Sequence, residues 1–167
     1  MTTIWPHIAI LAFVTAQRLI ELPIARANTR RLLAVGGHEV APGHYPLIVL
    51  VHAGWLAALW WFAPGRPIDL ALLALFALVE LARVWVLQAL GPRWTTRIIV
   101  VPQEKLVARG PYRFARHPNY LVVAAEIALL PLVFGLWQIA LIFSLLNAAI
   151  LAVRIRAENN ALKGARQ

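Results

Sequence analysis

The densest run of reactive side chains lies at residues 106–120, which read LVARGPYRFARHPNY. Arg113, Arg116 and His117 gather positive charge just ahead of an apolar run that opens at Asn119 and Tyr120. Pro118 suits the first turn of a helix, where its missing N–H costs little. A helix start beside basic groups favours an anion or carboxylate, because its first backbone N–H groups have no partner within the helix. The same residues would also serve as a basic cluster at a membrane surface. A second set, Asn147, Arg154 and Glu158, recurs at spacings of seven and four. It forms one polar stripe on a helix that continues out of an apolar stretch. In the functional reading, Arg154 presents a cation to an anionic substrate and Glu158 binds a polar group above it. In the plainer reading, Arg154 snorkels beside a surface glutamate. Gly135 separates the two apolar runs and predicts a tight helical hairpin, which brings both clusters to one rim.

Other polar residues sit inside apolar stretches, where they are expensive and normally face the bundle interior. Arg18 and Glu21 are three apart, as are Glu80 and Arg83. Each pair is expected to share a helix face and neutralise itself, or to line a substrate cleft. Glu126 has no partner within its own helix, so it calls for an interhelical bond or a proton. His44 and His52 lack a nearby third ligand, so no metal site is expected and both read as packed or interfacial. The absence of cysteine excludes disulfides and thiol catalysis.

The elements that must position these groups are membrane helices. Of the 167 residues, 61% are hydrophobic and 14% charged, which argues against a soluble globular enzyme. Apolar stretches cover residues 4–22, 47–62, 68–90, 119–134 and 136–153, against a requirement of about 20 for a span. The fold class expected is therefore all-α and integral to a membrane, with about five transmembrane helices. The start, MTTIWPHIAILAF, lacks a basic n-region and a cleavage site, and reads as a retained first helix. Pro131 is expected to kink or end the fourth helix.

Thirteen of the sixteen Lys and Arg residues fall in the first loop, the third loop and the tail. The positive-inside rule then puts those segments in the cytoplasm and the N-terminus outside, in a cell (inner) membrane. That distribution also explains the net charge of +9 without nucleic acid as a partner. The chain reads as one membrane domain: three helices over residues 1–90, a cytoplasmic cofactor loop at 91–118, and a hairpin with tail at 119–167. Within the loop, the β-branched run TTRIIVV (95–101) predicts a strand, residues 106–108 a second, and Gly110-Pro111 a turn.

LVARGPYRFARHPNY followed by Arg154-x-x-x-Glu158 resembles the isoprenylcysteine carboxyl methyltransferase family, integral membrane enzymes that use S-adenosylmethionine. The resemblance covers roughly residues 91–160. It implies an O-methyltransferase acting on a lipophilic acceptor at the cytoplasmic membrane face, releasing S-adenosylhomocysteine. Carried over by position, the cofactor contacts are Leu106, Val107, Tyr112, His117, Pro118, Asn119, Tyr120 and Glu158, and Arg154 faces the acceptor as the catalytic residue. Gln17-Arg18-Leu19 with Glu21, His44-Tyr45-Pro46 and Trp94-Thr95-Thr96-Arg97 are similar to a smaller bacterial subgroup, some of whose members methylate long-chain alkylpyrones or alkylresorcinols. Three positions depart from the family pattern. Val122 replaces a common glycine, Asn159 replaces the second acid of a Glu-Glu pair, and the chain stops at Gln167 without a longer C-terminal segment. The first would narrow the cofactor pocket, and the other two weigh against prenylcysteine as acceptor. Three rivals stand beside this reading. A sterol-type NADPH-dependent reductase also carries RHPNY, but Leu121-Val122 does not continue its pattern. A phospholipid N-methyltransferase would make Arg154 a poor partner for an amine. A non-enzymatic membrane subunit would leave the converging rim clusters without a role.

Overall fold

The computed structural model describes residues 4–104 and 107–164. Five helices make up the architecture: α1 (Trp5–Ala34), α2 (Tyr45–Phe62), α3 (Leu70–Leu90), α4 (Pro118–Val133) and α5 (Trp137–Gly164). Four are long and apolar enough to cross a membrane; α4, with 16 residues, is shorter. At 1.5 Å per residue α4 covers only ~24 Å, less than a hydrocarbon core of ~30 Å.

The helices lie where the apolar stretches place them, but two run much further. α1 continues to Ala34, so Arg26, Arg30 and Arg31 sit on the helix rather than in a loop. α5 continues to Gly164 and carries Arg154 and Glu158 with it. Hydropathy marks where a chain leaves hydrocarbon. The helix itself persists as long as good helix formers such as Ala, Arg and Leu follow.

Local chemistry sets the other ends. Asp69 caps α3, its Oδ1 accepting from the N–H groups of Ala71 and Leu72 at 2.9 and 3.0 Å. The Asp69 N–H donates to the Val133 carbonyl, tying the start of α3 to the end of α4. Gly135, at φ +67°, makes the α4–α5 turn, a backbone state that glycine adopts without strain. Pro131 occupies the last turn of α4, where its own carbonyl accepts from Phe134 and Leu136.

The strands require a correction. The run at 95–101 bends at Thr96 and Arg97, and only β2 (Ile99–Val100) within it pairs. Its antiparallel partner is β1 (His38–Glu39), from the α1–α2 connection. Val107 and Ala108 form no strand, and Leu106 lies outside the described residues. Local propensity marks a segment as extended, whereas tertiary folding chooses its partner. The two-stranded clip joins two loops that are 60 residues apart in sequence.

Large apolar side chains point both ways. Leu11, Val14, Trp55, Leu59, Phe76, Ile127 and Phe134 form the core. Leu50, Trp61, Leu78, Leu81 and Leu145 are exposed, as a lipid-facing surface requires. Lipid tails are as apolar as Leu, so helix association depends on packing and interhelical polar contacts. A buried ion network supplies them. Arg83 on α3 bonds both oxygens of Glu126 on α4, at 3.0 and 2.9 Å, and both oxygens of Glu21 on α1 through Nε (2.7 Å) and Nη2. Arg18 adds a 2.5 Å bond to Glu126, and Gln17 donates to Glu80 at 2.8 Å. The expectation of self-neutralising pairs holds only weakly: Arg18 and Glu21 are 3.7 Å apart, and the closest partners are on other helices. Arg83→Ala leaves Glu21 and Glu126 to share the single cation Arg18, so one buried carboxylate loses its counter-charge. The substitution should lower stability by about 3–5 kcal/mol, the cost of breaking a buried pair from one side, read as a thermal shift in detergent. An unshifted midpoint would show that the network is not what joins α1, α3 and α4.

Candidate active site

The hairpin brings the two sequence clusters to one rim. His117 is the N-cap residue of α4 and Pro118 its first residue, which places Tyr120 in the first turn. Across from it, α5 presents Arg154 and, one turn further, Glu158. The Tyr120 hydroxyl donates to Glu158 Oε2 at 2.6 Å and accepts from Arg154 Nε at 2.8 Å. Arg154 Nη1 donates to the Thr96 carbonyl at 2.8 Å, and the guanidinium lies over the Tyr120 ring, 5.4 Å from its centroid. The His117 ring stacks on Tyr120 at 5.3 Å. Its Nδ1 is 3.6 Å from Glu158, and its Nε2 is 3.3 Å from Asn159 Oδ1. Asn159, the departure from the family's second acid, therefore faces the motif histidine.

Arg154 is only 6% exposed, yet among the described residues no carboxylate comes within 4.0 Å of it. Its hydrogen-bond partners there are a hydroxyl and a carbonyl, both neutral. Burying a cation without a counter-charge is costly, so this arrangement calls for an anion or a strongly polarised oxygen. Below the guanidinium lies a cavity of about 260 Å³ between the helices. Much of its wall is aliphatic, including Leu19, Ile48, Leu56 and Val123, with Arg154, Tyr120 and Asn119 at the rim. Arg18, Glu21 and Arg83 also reach this wall, so the ion network both joins helices and lines the cleft.

The remaining candidates separate. Burial pushes the Tyr112 phenol pKa up, and the Glu158 carboxylate adds to the shift, which puts Tyr112 beside the rim cluster. Pro118 is buried beneath it. Val107 lines a different, open cleft with Arg31, Leu90 and Arg109, to whose lining Tyr120 does not contribute. Leu106 lies outside the described residues.

Sequence reasoning missed the parts supplied by the other two loops. Arg97 bonds Glu39 at 2.7 Å and lies 4.2 Å over the Tyr45 ring, and the Thr96 hydroxyl donates to Tyr45 Oη at 3.4 Å. These contacts press the clip onto the cavity mouth. The only signal in the sequence was the pair of segments His44-Tyr45-Pro46 and Trp94-Thr95-Thr96-Arg97, which carried no geometry.

The sequence model of the isoprenylcysteine carboxyl methyltransferase (ICMT) family matches residues 72–164, from the first turn of α3 to the end of α5. The chain belongs to this family. The match contains the whole Tyr120–Arg154–Glu158 cluster. Similarity to relatives extends over the first two helices as well. The uncharacterized protein YpbQ of Bacillus subtilis is 36% identical over 167 residues, covering 92% of this chain and 95% of its own. An uncharacterized protein of Haemophilus influenzae is 28% identical over 160 residues, covering 90% and 91%. No solved structure matches the chain. ICMT membership points to a methyltransferase that draws on S-adenosylmethionine, and the donor set at the rim fits that cofactor. Glu158 uses Oε2 for Tyr120. Its other oxygen has no partner among the described residues, and its side chain is 27% exposed, open to an ammonium or a ribose hydroxyl.

Proposed function

We propose that this ICMT-family protein transfers a methyl group to an oxygen of a lipophilic acceptor at the cytoplasmic membrane face. The acceptor class is a carboxylate, enol or phenol carrying a prenyl or long alkyl chain. The observation that carries the reading is the buried Arg154 cation at the mouth of an apolar cavity, which among the described residues bonds no carboxylate directly. When bound, S-adenosylmethionine supplies an electrophilic methyl on a sulfonium. Glu158, Tyr120 and His117 hold the polar part of the cofactor on the open side of the rim. Arg154, braced by Thr96 and Tyr120, orients the acceptor oxygen and carries its negative charge. In-line displacement chiefly requires two reactants held close and aligned, and a rim fixed by these bonds supplies that. A carboxylate or enolate is already anionic and needs no strong base; an enol or phenol gives its proton to water at the open rim, and Arg154 stabilises the oxyanion left behind. The acceptor enters sideways between helices, its tail against the aliphatic wall. The positive-inside distribution supports a cytoplasmic first loop, clip and tail, with the N-terminus outside.

Calorimetry of the detergent-purified protein with S-adenosylhomocysteine tests the cofactor, with NADPH as comparison. Micromolar binding of S-adenosylhomocysteine and none of NADPH is expected. The reverse result would move the chain to reductase chemistry, and binding of neither would leave a non-enzymatic membrane subunit.

A further inference from the structure

The cavity below Arg154 holds a polar group that the proposed transfer does not use. His52 stands in the middle of α2, seven residues beyond Tyr45, and lines the cavity. Thr96 touches both Tyr45 and Arg154, so these two share the rim level. At 1.5 Å per residue, His52 lies ~10 Å below that level. Asn147, seven residues before Arg154 on α5, lines the cavity at the same depth.

His52 Nδ1 is 2.9 Å from the Ile48 carbonyl. A carbonyl only accepts, so Nδ1 donates, and in the neutral ring Nε2 keeps its lone pair. Among the described residues no protein group bonds Nε2. The guanidinium Nη groups of the neighbouring wall cations, Arg18 and Arg83, are bonded to Glu21 and Glu126, and neither cation is hydrogen-bonded to His52. A plain hydrocarbon tail laid against Nε2 would strip it of water and return nothing.

We infer that His52 is a specificity-determining residue that accepts a hydrogen bond from a second, neutral hydroxyl on the acceptor, deeper in the cavity than the oxygen held by Arg154. This rests on the proposed function. The cavity makes opposite demands at its two levels: an anionic or polarised oxygen at Arg154 and an O–H donor at His52. A second ring hydroxyl on the acceptor, bonded to Nε2 at ~2.8 Å, meets the deeper demand while the first oxygen stays at Arg154. An acceptor with a single oxygen leaves Nε2 unpaired and is disfavoured.

The test compares 5-pentadecylresorcinol with 3-pentadecylphenol, which differ by one hydroxyl. The wild-type protein should show kcat/KM higher for the resorcinol by at least about tenfold, the order that one unpaired buried hydrogen-bonding group costs. His52→Phe should bring the two substrates to parity by lowering the resorcinol value alone, with S-adenosylhomocysteine affinity unchanged. His52→Gln keeps an acceptor oxygen and should retain part of the preference. His52→Leu carries the same expectation as the phenylalanine variant should that protein fail to bind S-adenosylhomocysteine. A preference that survives in the phenylalanine or leucine variant, or no preference in the wild type, overturns the inference. Turnover of a prenylcysteine carboxylate but of neither phenol also overturns it while leaving the methyltransferase reading intact. Failure of the wild type to bind S-adenosylhomocysteine overturns both.

Discussion

Arg154→Ala is expected to lower kcat/KM by roughly 10²–10³-fold, the size of effect seen when one preorganised charge-stabilising donor is removed. Binding of S-adenosylhomocysteine should change little in the same variant. The asymmetry follows from geometry: Arg154 lies on the cavity side of Tyr120, while Glu158 lies on the open side. Arg154→Lys should rescue little. A lysine ammonium cannot reproduce the planar fork that reaches the Thr96 carbonyl and the Tyr120 hydroxyl together. Calorimetry and single-turnover methyl transfer measured on one preparation separate the two effects. Retained turnover would remove Arg154 from the chemistry. Lost binding would make it part of the cofactor site.

Glu158→Ala should do the opposite, raising the Kd for S-adenosylhomocysteine about ten- to hundredfold, as for loss of a hydrogen bond to a charged group, about 1.5–3 kcal/mol. Two contributions combine. The carboxylate oxygen not bonded to Tyr120 is the acceptor offered to the cofactor, and Oε2 holds the Tyr120 hydroxyl that also fixes Arg154. Glu158→Gln keeps the brace but not the charge, so it should fall between wild type and alanine. An alanine variant with unchanged Kd would reduce Glu158 to a brace for Tyr120, and the cofactor's polar end would then have to lie elsewhere.

These two outcomes and the Arg83 and His52 variants test different links. Arg83 reports whether the ion network joins the helices. His52 reports what the cavity accepts. Arg154 and Glu158 report on which side of Tyr120 each reactant sits.

Much of this was legible in the sequence because membranes simplify the problem. Apolar stretches of span length can do little but form helices, since every backbone group must be satisfied within the segment. Gly135 between two such stretches predicts a hairpin, and a hairpin must return Arg154 and Glu158 to the level of His117 and Tyr120. That argument needs no knowledge of any side-chain position, and the rim hydrogen bonds agree with it. Glu126, without a partner on its own helix, was readable as needing either a bond from another helix or a proton.

Only the tertiary structure decided who that partner is. Arg18 and Glu21 are adjacent on one helix face, yet their shortest contacts run to Glu126 and Arg83, because helix packing aims those groups more directly than an i,i+3 spacing does. It also decided that β2 pairs with β1 and that Val107 and Tyr120 line different clefts. It placed Thr96 and His52 on one cavity with Arg154. Sequence spacing reports what shares a helix face, whereas a cavity wall is assembled from faces of different helices, and their relative rotation is set by packing.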